Sequence, residues 1–217
     1  MSNKILIITA GAVVGLLSVI LVIKGNPANM GFCIACFLRD IAGALGLHRA
    51  GAVQYLRPEI IGLVIGAFIA AGFAREFKAG GGSSPALRFL LGILMICGAL
   101  IFLGCPLRMI LRLAGGDLNA LVALPGYVTG VWAGTAFLKK GYSLGRSQAQ
   151  TVLNGYVALF FFLILFVLLL SAPAYIFFSS EGPGSMRTAV TTALGAGLLV
   201  GILTQRSRLC LWALFAI

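Results

Sequence analysis

Residues 29–47, NMGFCIACFLRDIAGALGL, decide how the chain is read. The stretch is apolar enough for a membrane helix, yet Arg39 and Asp40 stand at its centre. A charged pair in the middle of a lipid-facing span is costly, so the segment has to be enclosed by protein. Asn29 is a good N-cap, and the helix is expected to begin there. Residues 105–114, CPLRMILRLA, repeat the pattern with Arg108 and Arg112. They open with Cys105 and then Pro106, a residue suited to the first helical position. Ten residues of helix span roughly 15 Å, about half a bilayer. Gly115-Gly116 then stops the helix. Both stretches are expected to be re-entrant half-helices.

The remainder reads as full spans. Of 217 residues, 60% are apolar and 10% charged, against about 25% charged in soluble domains. The mean hydropathy is +1.08. Such a chain is an integral membrane protein. Disordered, coiled-coil and secreted disulfide-scaffold classes are excluded. The expected fold is all-α, with about six transmembrane helices at residues 5–23, 58–73, 87–103, 118–138, 152–178 and 188–203. The first follows Lys4, but no small-x-small cleavage site appears before Pro27, so it reads as a retained span. Ser171 and Pro173 predict a break near the end of the fifth.

Sixteen Lys and Arg face five Asp and Glu, for a net charge of +11. In a soluble protein this excess would point to nucleic acid; here it reads as loop charge obeying the positive-inside rule, with no nucleic-acid partner expected. If each half-helix leaves and returns on one side, residues 1–4, 75–88, 139–151 and 206–208 share a side and carry nine of the sixteen cations. Only Arg187 falls on the other side outside the half-helix regions, which puts the N-terminus in the cytoplasm. The remaining six, Lys24, Arg39, Arg49, Arg57, Arg108 and Arg112, surround the half-helices. Among them Arg49 and Arg57, with His48, read as interfacial anchors.

The first span leads into Asn29-Met30-Gly31-Phe32-Cys33, and the sixth into Arg206-Ser207-Arg208-Leu209-Cys210. Each is a polar turn followed by a cysteine that opens an apolar segment. The two spans run in opposite directions, as in an inverted-repeat transporter. Residues 1–150 are the expected first repeat and 151–217 a truncated second one. The chain is expected to be a fragment of a longer protein.

Three of the five cysteines, Cys33, Cys105 and Cys210, open an expected half-helix. A helix N-terminus offers unpaired N–H groups and partial positive charge, which bind anions and favour a thiolate. Cys33 and Asp40, like Cys105 and Arg112, are seven residues apart and so about 20° from eclipsed on a helix. Asp40 is expected to pair with Arg108 or Arg112, since buried charges need partners. Cys33-x-x-Cys36 reads either as a redox pair or as half a metal site. His48 is the only histidine, so no metal is expected, and no cofactor. Cys97, in mid-span, reads as packing.

Gly25-Asn26-Pro27, the run Asn29 to Asp40, and Arg57-Pro58-Glu59 together resemble the YeeE/YedE family of sulfur-transport membrane proteins. Gly104-Cys105-Pro106-Leu107-Arg108 and Gly115-Gly116-Asp117-Leu118-Asn119-Ala120 resemble its second signature. The likeness covers roughly residues 1–150 and is greatest to the YedE branch associated with selenium metabolism. It implies a bacterial inner-membrane permease, not an enzyme, with inverted halves and half-helices. Thiosulfate would pass between thiols by hydrogen bonds, without covalent turnover. The resemblance assigns Cys33, Cys105 and Cys210 to the motif cysteines and leaves Cys36 as an extra thiol. It also implies a TusA-like cytosolic sulfur-carrier protein as partner.

The expected function is transport of a small sulfur- or selenium-containing anion. The candidate residues are Cys33, Cys36, Cys105 and Cys210, with Arg108, Arg112 and Asp40. Two other readings stay open. One is a membrane thiol–disulfide oxidoreductase that uses Cys33 and Cys36 with a quinone. The other is a non-transporting partner subunit.

Overall fold

The structure, a computed structural model, describes residues 3–82, 84–102, 104–143 and 148–208, with side chains from Ile5 onward. It is mostly helical: α1 (Asn3–Ile23), α2 (Ile34–Ala44), α3 (Pro58–Phe73), α4 (Pro85–Ile101), α5 (Pro106–Ala114), α6 (Leu118–Lys139), α7 (Val152–Ser171) and α8 (Val190–Ser207). Five segments are long and apolar enough to cross a membrane: Ile5–Ile23, Gly51–Phe73, Pro85–Ala114, Leu118–Lys139 and Val152–Ser171. A mostly helical chain with five helices of this length and apolarity is compatible with an all-α membrane protein. α8, the sixth expected span, is helical but more polar, with Thr204, Gln205 and Arg206 in its last turns.

Two compact units make up the chain. The first holds α1, α2, α3, α7 from Tyr156 onward, and α8. α1 buries one stripe, Ala10, Val14, Ser18 and Leu21, at intervals of three and four residues. α3 and α8 lie backbone to backbone. A methyl group at Gly197 would overlap the Glu59 carbonyl, and one at Gly201 the Leu63 carbonyl. Gly62 and Gly66 stand likewise against Leu194 and Leu198. Small residues allow this approach, and in lipid close packing replaces the hydrophobic effect as the force holding helices together. Replacing Gly197 by leucine is expected to cost about 1–3 kcal/mol through overpacking. The checking measurement is a lower melting temperature in detergent than that of Gly195→Leu, where an added Cβ meets nothing.

α7 breaks where Ser171 and Pro173 predicted: the helix ends at Ser171 and Ala172 takes φ +39. The following stretch, 172–189, is not a continuation of a span. It is an irregular segment laid along the chain between α2 and α3. Phe177 N–H bonds Ala44 O, Gly184 N–H bonds Ala52 O, and Ser179 and Gln54 bond reciprocally through their backbone and the Ser179 hydroxyl.

The second unit holds α4, α5 and α6, with a two-residue antiparallel pair, β1 (Gly80–Gly81) and β2 (Gln148–Ala149). Ser84 caps α4, its hydroxyl accepting from Leu87 N–H at 3.3 Å. None of the described residues of α4 is buried, and α6 buries only Ala120 and Val131. These apolar surfaces suit lipid as their solvent.

Candidate functional site

The site in the first unit is made by the way α1 hands the chain to α2. After Ile23 the backbone folds back, Asn26 N–H bonding Leu21 O at 2.9 Å, with Gly25 at φ +114. Asn29 is not the N-cap that its side chain suggested. It takes φ +60, and Gly31 takes φ +46, so neither propagates a helix. Cys33, extended at ψ 101, is the cap, and α2 begins at Ile34.

Cys33 and Cys36 are one turn apart on the inner face of α2. Both are buried, and their Sγ atoms are 3.0 Å apart in a hydrogen bond. The same face buries Phe37, Asp40, Ile41 and Ala44. Two thiols at the positive end of a short helix can donate to an anion or be oxidised as a pair.

Asp40, seven residues below Cys33, is fully buried, and within the first unit its partners are Arg57 and Arg39. The sequence pointed to Arg108 or Arg112 as its counter-charge; within its own unit Asp40 meets two other arginines. Arg57 donates from Nε to Asp40 Oδ2 at 2.8 Å, and its Nη2 lies 2.8 Å from the same oxygen. Arg39 donates to Oδ1 from Nε and Nη2, at 3.1 and 2.7 Å. Arg57 was expected at the membrane interface; it is instead 0% exposed. Its remaining N–H groups go to the carbonyls of Pro183 and Met186, at 2.7 and 3.2 Å, and its guanidinium lies over the Phe37 and Tyr55 rings. A buried cation keeps its charge only with this degree of satisfaction. Arg187 also lies over the Tyr55 ring, and over that of Phe178. Two arginines against one carboxylate leave the surroundings of Asp40 with net positive charge. His48 and Arg49 have local roles: His48 Nε2 lies 2.9 Å from Arg39 O, and Arg49 covers the Phe177 ring.

Sequence reasoning missed Glu59 and Asn26 as a pair. Both are buried, and Asn26 Nδ2 donates to Glu59 Oε1 at 2.5 Å. The signal was available, since a Glu directly after an Arg-Pro helix start has no obvious place in an apolar run.

In the second unit, Cys105 caps α5 as expected, with φ −80 and ψ 165, and is half-buried. Gly104, at φ +141, brings the backbone up against the Arg108 side chain. Arg112 at the far end pairs with Asp117, the N-cap of α6, at 2.6 Å. Asp117 Oδ1 also accepts from Asn119 N–H at 3.0 Å. The Arg112 hydrogen bond holds the Asp117 carboxyl below its ordinary value of 3.8. The folded form therefore binds this proton less readily than the unfolded chain. The contribution is complete above the ordinary carboxylate range and is lost as pH falls through the lowered value. Asp117→Asn is expected to flatten that acid limb of the melting-temperature profile, lowering the melting temperature above the carboxylate range and changing it little where Asp117 is already protonated.

Cys97 is exposed on α4. Cys210 lies outside the described residues. Among the described residues no three His, Cys, Asp or Glu side chains gather as a metal ligand set. The chain matches no family model, no curated protein and no solved structure.

Proposed function

We propose that this chain forms part of a membrane permease for a small sulfur- or selenium-containing anion of the thiosulfate kind. The observation that carries the reading is the Cys33–Cys36 thiol pair, buried at the amino end of an eleven-residue helix whose next turns hold an arginine-rich charge cluster. Eleven residues rise about 16 Å, too short to span and suited to end at mid-bilayer. α5, nine residues capped by Cys105, repeats the arrangement. Thiols and helix N–H groups are weak, neutral donors, and an anion must be held loosely at several sites to move on. The proposal includes inverted halves with re-entrant α2 and α5, a cytoplasmic N-terminus and a bacterial inner membrane. A TusA-like carrier would receive the anion.

The test is uptake of labelled thiosulfate by cells that make the complete protein, with selenosulfate as competitor. Saturable uptake reduced by the competitor is expected. No uptake above control cells, with the protein present in the membrane, overturns the reading.

A second reading is favoured by one observation, the 3.0 Å separation of the two sulfurs. A dithiol so placed can give up two electrons and two protons to a quinone, forming a disulfide and a quinol. Alkylation with a mass-tagged maleimide distinguishes the two. The permease keeps Cys33 and Cys36 as thiols whether quinone is oxidised or reduced; the oxidoreductase loses both tags with oxidised quinone.

A further inference from the structure

α1 is long and apolar enough to cross a membrane, and protein covers one of its faces, at Ala10, Val14, Ser18 and Leu21. On the opposite face Val13, Leu16, Val19, Ile20 and Ile23 are exposed, from 36% at Ile20 to 76% at Ile23. On a helix these five fall within an arc of about 120°. From Val13 to Ile23 the helix rises about 15 Å, the depth of one leaflet of a hydrocarbon core roughly 30 Å thick.

The stripe ends at two cations. Lys24 follows Ile23 directly and is exposed. Arg187, also exposed, is brought to the same corner by the backbone. Gly25 stands at φ +114, and a Cβ added there would lie 3.3 Å from the Arg187 carbonyl oxygen. On the next residue, Thr188 N–H donates to Asn26 Oδ1 at 2.9 Å, and the Thr188 hydroxyl donates to Leu21 O at 3.0 Å. Lys24 and Arg187, distant in sequence, thus flank one pinned approach of two segments.

Neither charge is used up inside the protein. The carbonyls at the end of α1 already have backbone donors: Ile20 O accepts from Lys24 N–H, Leu21 O from Asn26 N–H and Val22 O from Gly25 N–H. No ammonium is needed to cap them. The Arg187 guanidinium lies 5.2 Å from the Tyr55 ring centre and 5.9 Å from that of Phe178, two rings tilted by 56° to each other. Stacking occupies the flat face of a guanidinium and holds the side chain in place, while the N–H groups around its edge remain for an oxyanion. Among the described residues no carboxylate lies within ion-pair distance of Lys24 or Arg187. The acids of this region are engaged or apart: Asp40 with Arg57 and Arg39, Glu59 on the Asn26 amide, and Glu181 exposed without an ion pair.

We propose that this corner binds a phospholipid with an anionic headgroup. The phosphodiester sits between the Lys24 ammonium and the Arg187 guanidinium, and an acyl chain lies along the stripe from Ile23 to Val13. The stripe decides the source of the phosphate: a free oxyanion uses the charges alone, whereas a lipid uses the charges and the apolar face together. The site is independent of what the chain carries, and nothing in it rests on the permease reading.

The experiment is native mass spectrometry of the purified full chain in detergent, given equal amounts of dioleoyl phosphatidylglycerol and dioleoyl phosphatidylcholine. Their chains are identical and their headgroup charge differs. The parent is expected to retain the anionic lipid several-fold over the zwitterionic one. Lys24→Gln should bring the ratio toward parity, and Lys24→Gln with Arg187→Gln should complete the loss. Lys24 is exposed, so the single variant decides the matter if the double variant does not fold. Val19→Ser with Ile23→Ser should lower retention of the anionic lipid with both cations in place. Arg75→Gln, which removes an exposed cation beyond the far end of α3, should leave the ratio unchanged. Equal retention of the two lipids by the parent, an undiminished preference in Lys24→Gln, or an equal loss in Arg75→Gln overturns the site. Displacement of the anionic lipid by millimolar inorganic phosphate, with the serine variant binding lipid as the parent does, shows a small-anion site and overturns the lipid.

Discussion

Arg57→Ala is expected to prevent the first unit from accumulating in folded form. Arg57 and Asp40 are both fully buried, and each is the other's main counter-charge. Removing one partner of a buried pair costs about 3–5 kcal/mol, because the other charge stays inside without compensation. Here the loss is wider. The carbonyls of Pro183 and Met186 lose their donor, and segment 172–189 loses a tie to the start of α3. The phenyl and phenol faces of Phe37 and Tyr55 lose the cation between them. Arg39→Ala removes a cation from the same carboxylate, but its side chain is 30% exposed, so water partly screens it and Arg57 still neutralises Asp40 when it is gone. The two variants, compared by monodisperse yield and melting temperature in detergent, should therefore differ sharply. A double variant, Arg57→Met with Asp40→Leu, should recover part of the loss by removing both buried charges. Equal stability of Arg57→Ala and Arg39→Ala would show that the buried pair is not what holds this unit together.

The Arg57 cluster also marks where the sequence was legible and where it was not. Helix starts with a physical punctuation mark were readable: Pro58 opens α3, and Pro106 behind Cys105 opens α5, as expected. Charges inside an apolar run pointed to protein around them, and Asp40 is indeed buried. Asn29 misled because cap chemistry is a property of the side chain, whereas the start of α2 is set by left-handed backbone at Asn29 and Gly31. The partner of Asp40 was out of reach for another reason. Helical spacing relates residues within one helix, but Arg57 arrives by an irregular connection, and its other acceptors come from residues more than 120 positions away. An arginine just before a proline helix start reads as interfacial unless the carbonyls that enclose it are known. Those carbonyls belong to the stretch after the predicted break at Ser171, where periodicity carries no information.

Cys33→Ala is expected to lower thiosulfate uptake about tenfold or more, the largest functional effect among the thiol variants. On the proposed reading the Cys33 thiol donates to the passing anion, and a hydrogen bond to a charged group is worth about 1.5–3 kcal/mol, or roughly a factor of ten to a hundred. Cys33 also holds the cap position of α2, so its sulfur and the first N–H groups face the same ion. Cys36 lies one turn deeper and reaches the ion through Cys33, so Cys36→Ala should cost less. Cys33→Ser restores a donor of similar reach and should recover part of the rate, which a purely packing role would not require. Cys105→Ala is expected to act like Cys33→Ala, since it caps α5 in the same way. Cys97→Ala, on an exposed face of α4, should leave uptake unchanged. Each chain is to be quantified in the membrane, because emptying a buried sulfur site destabilises by about 1 kcal/mol even without function. If Cys33→Ala and Cys105→Ala transport as the parent does at equal abundance, the anion does not travel by thiols. The buried sulfurs would then be packing, and the positive charge beside Asp40 would be the feature left to explain anion passage.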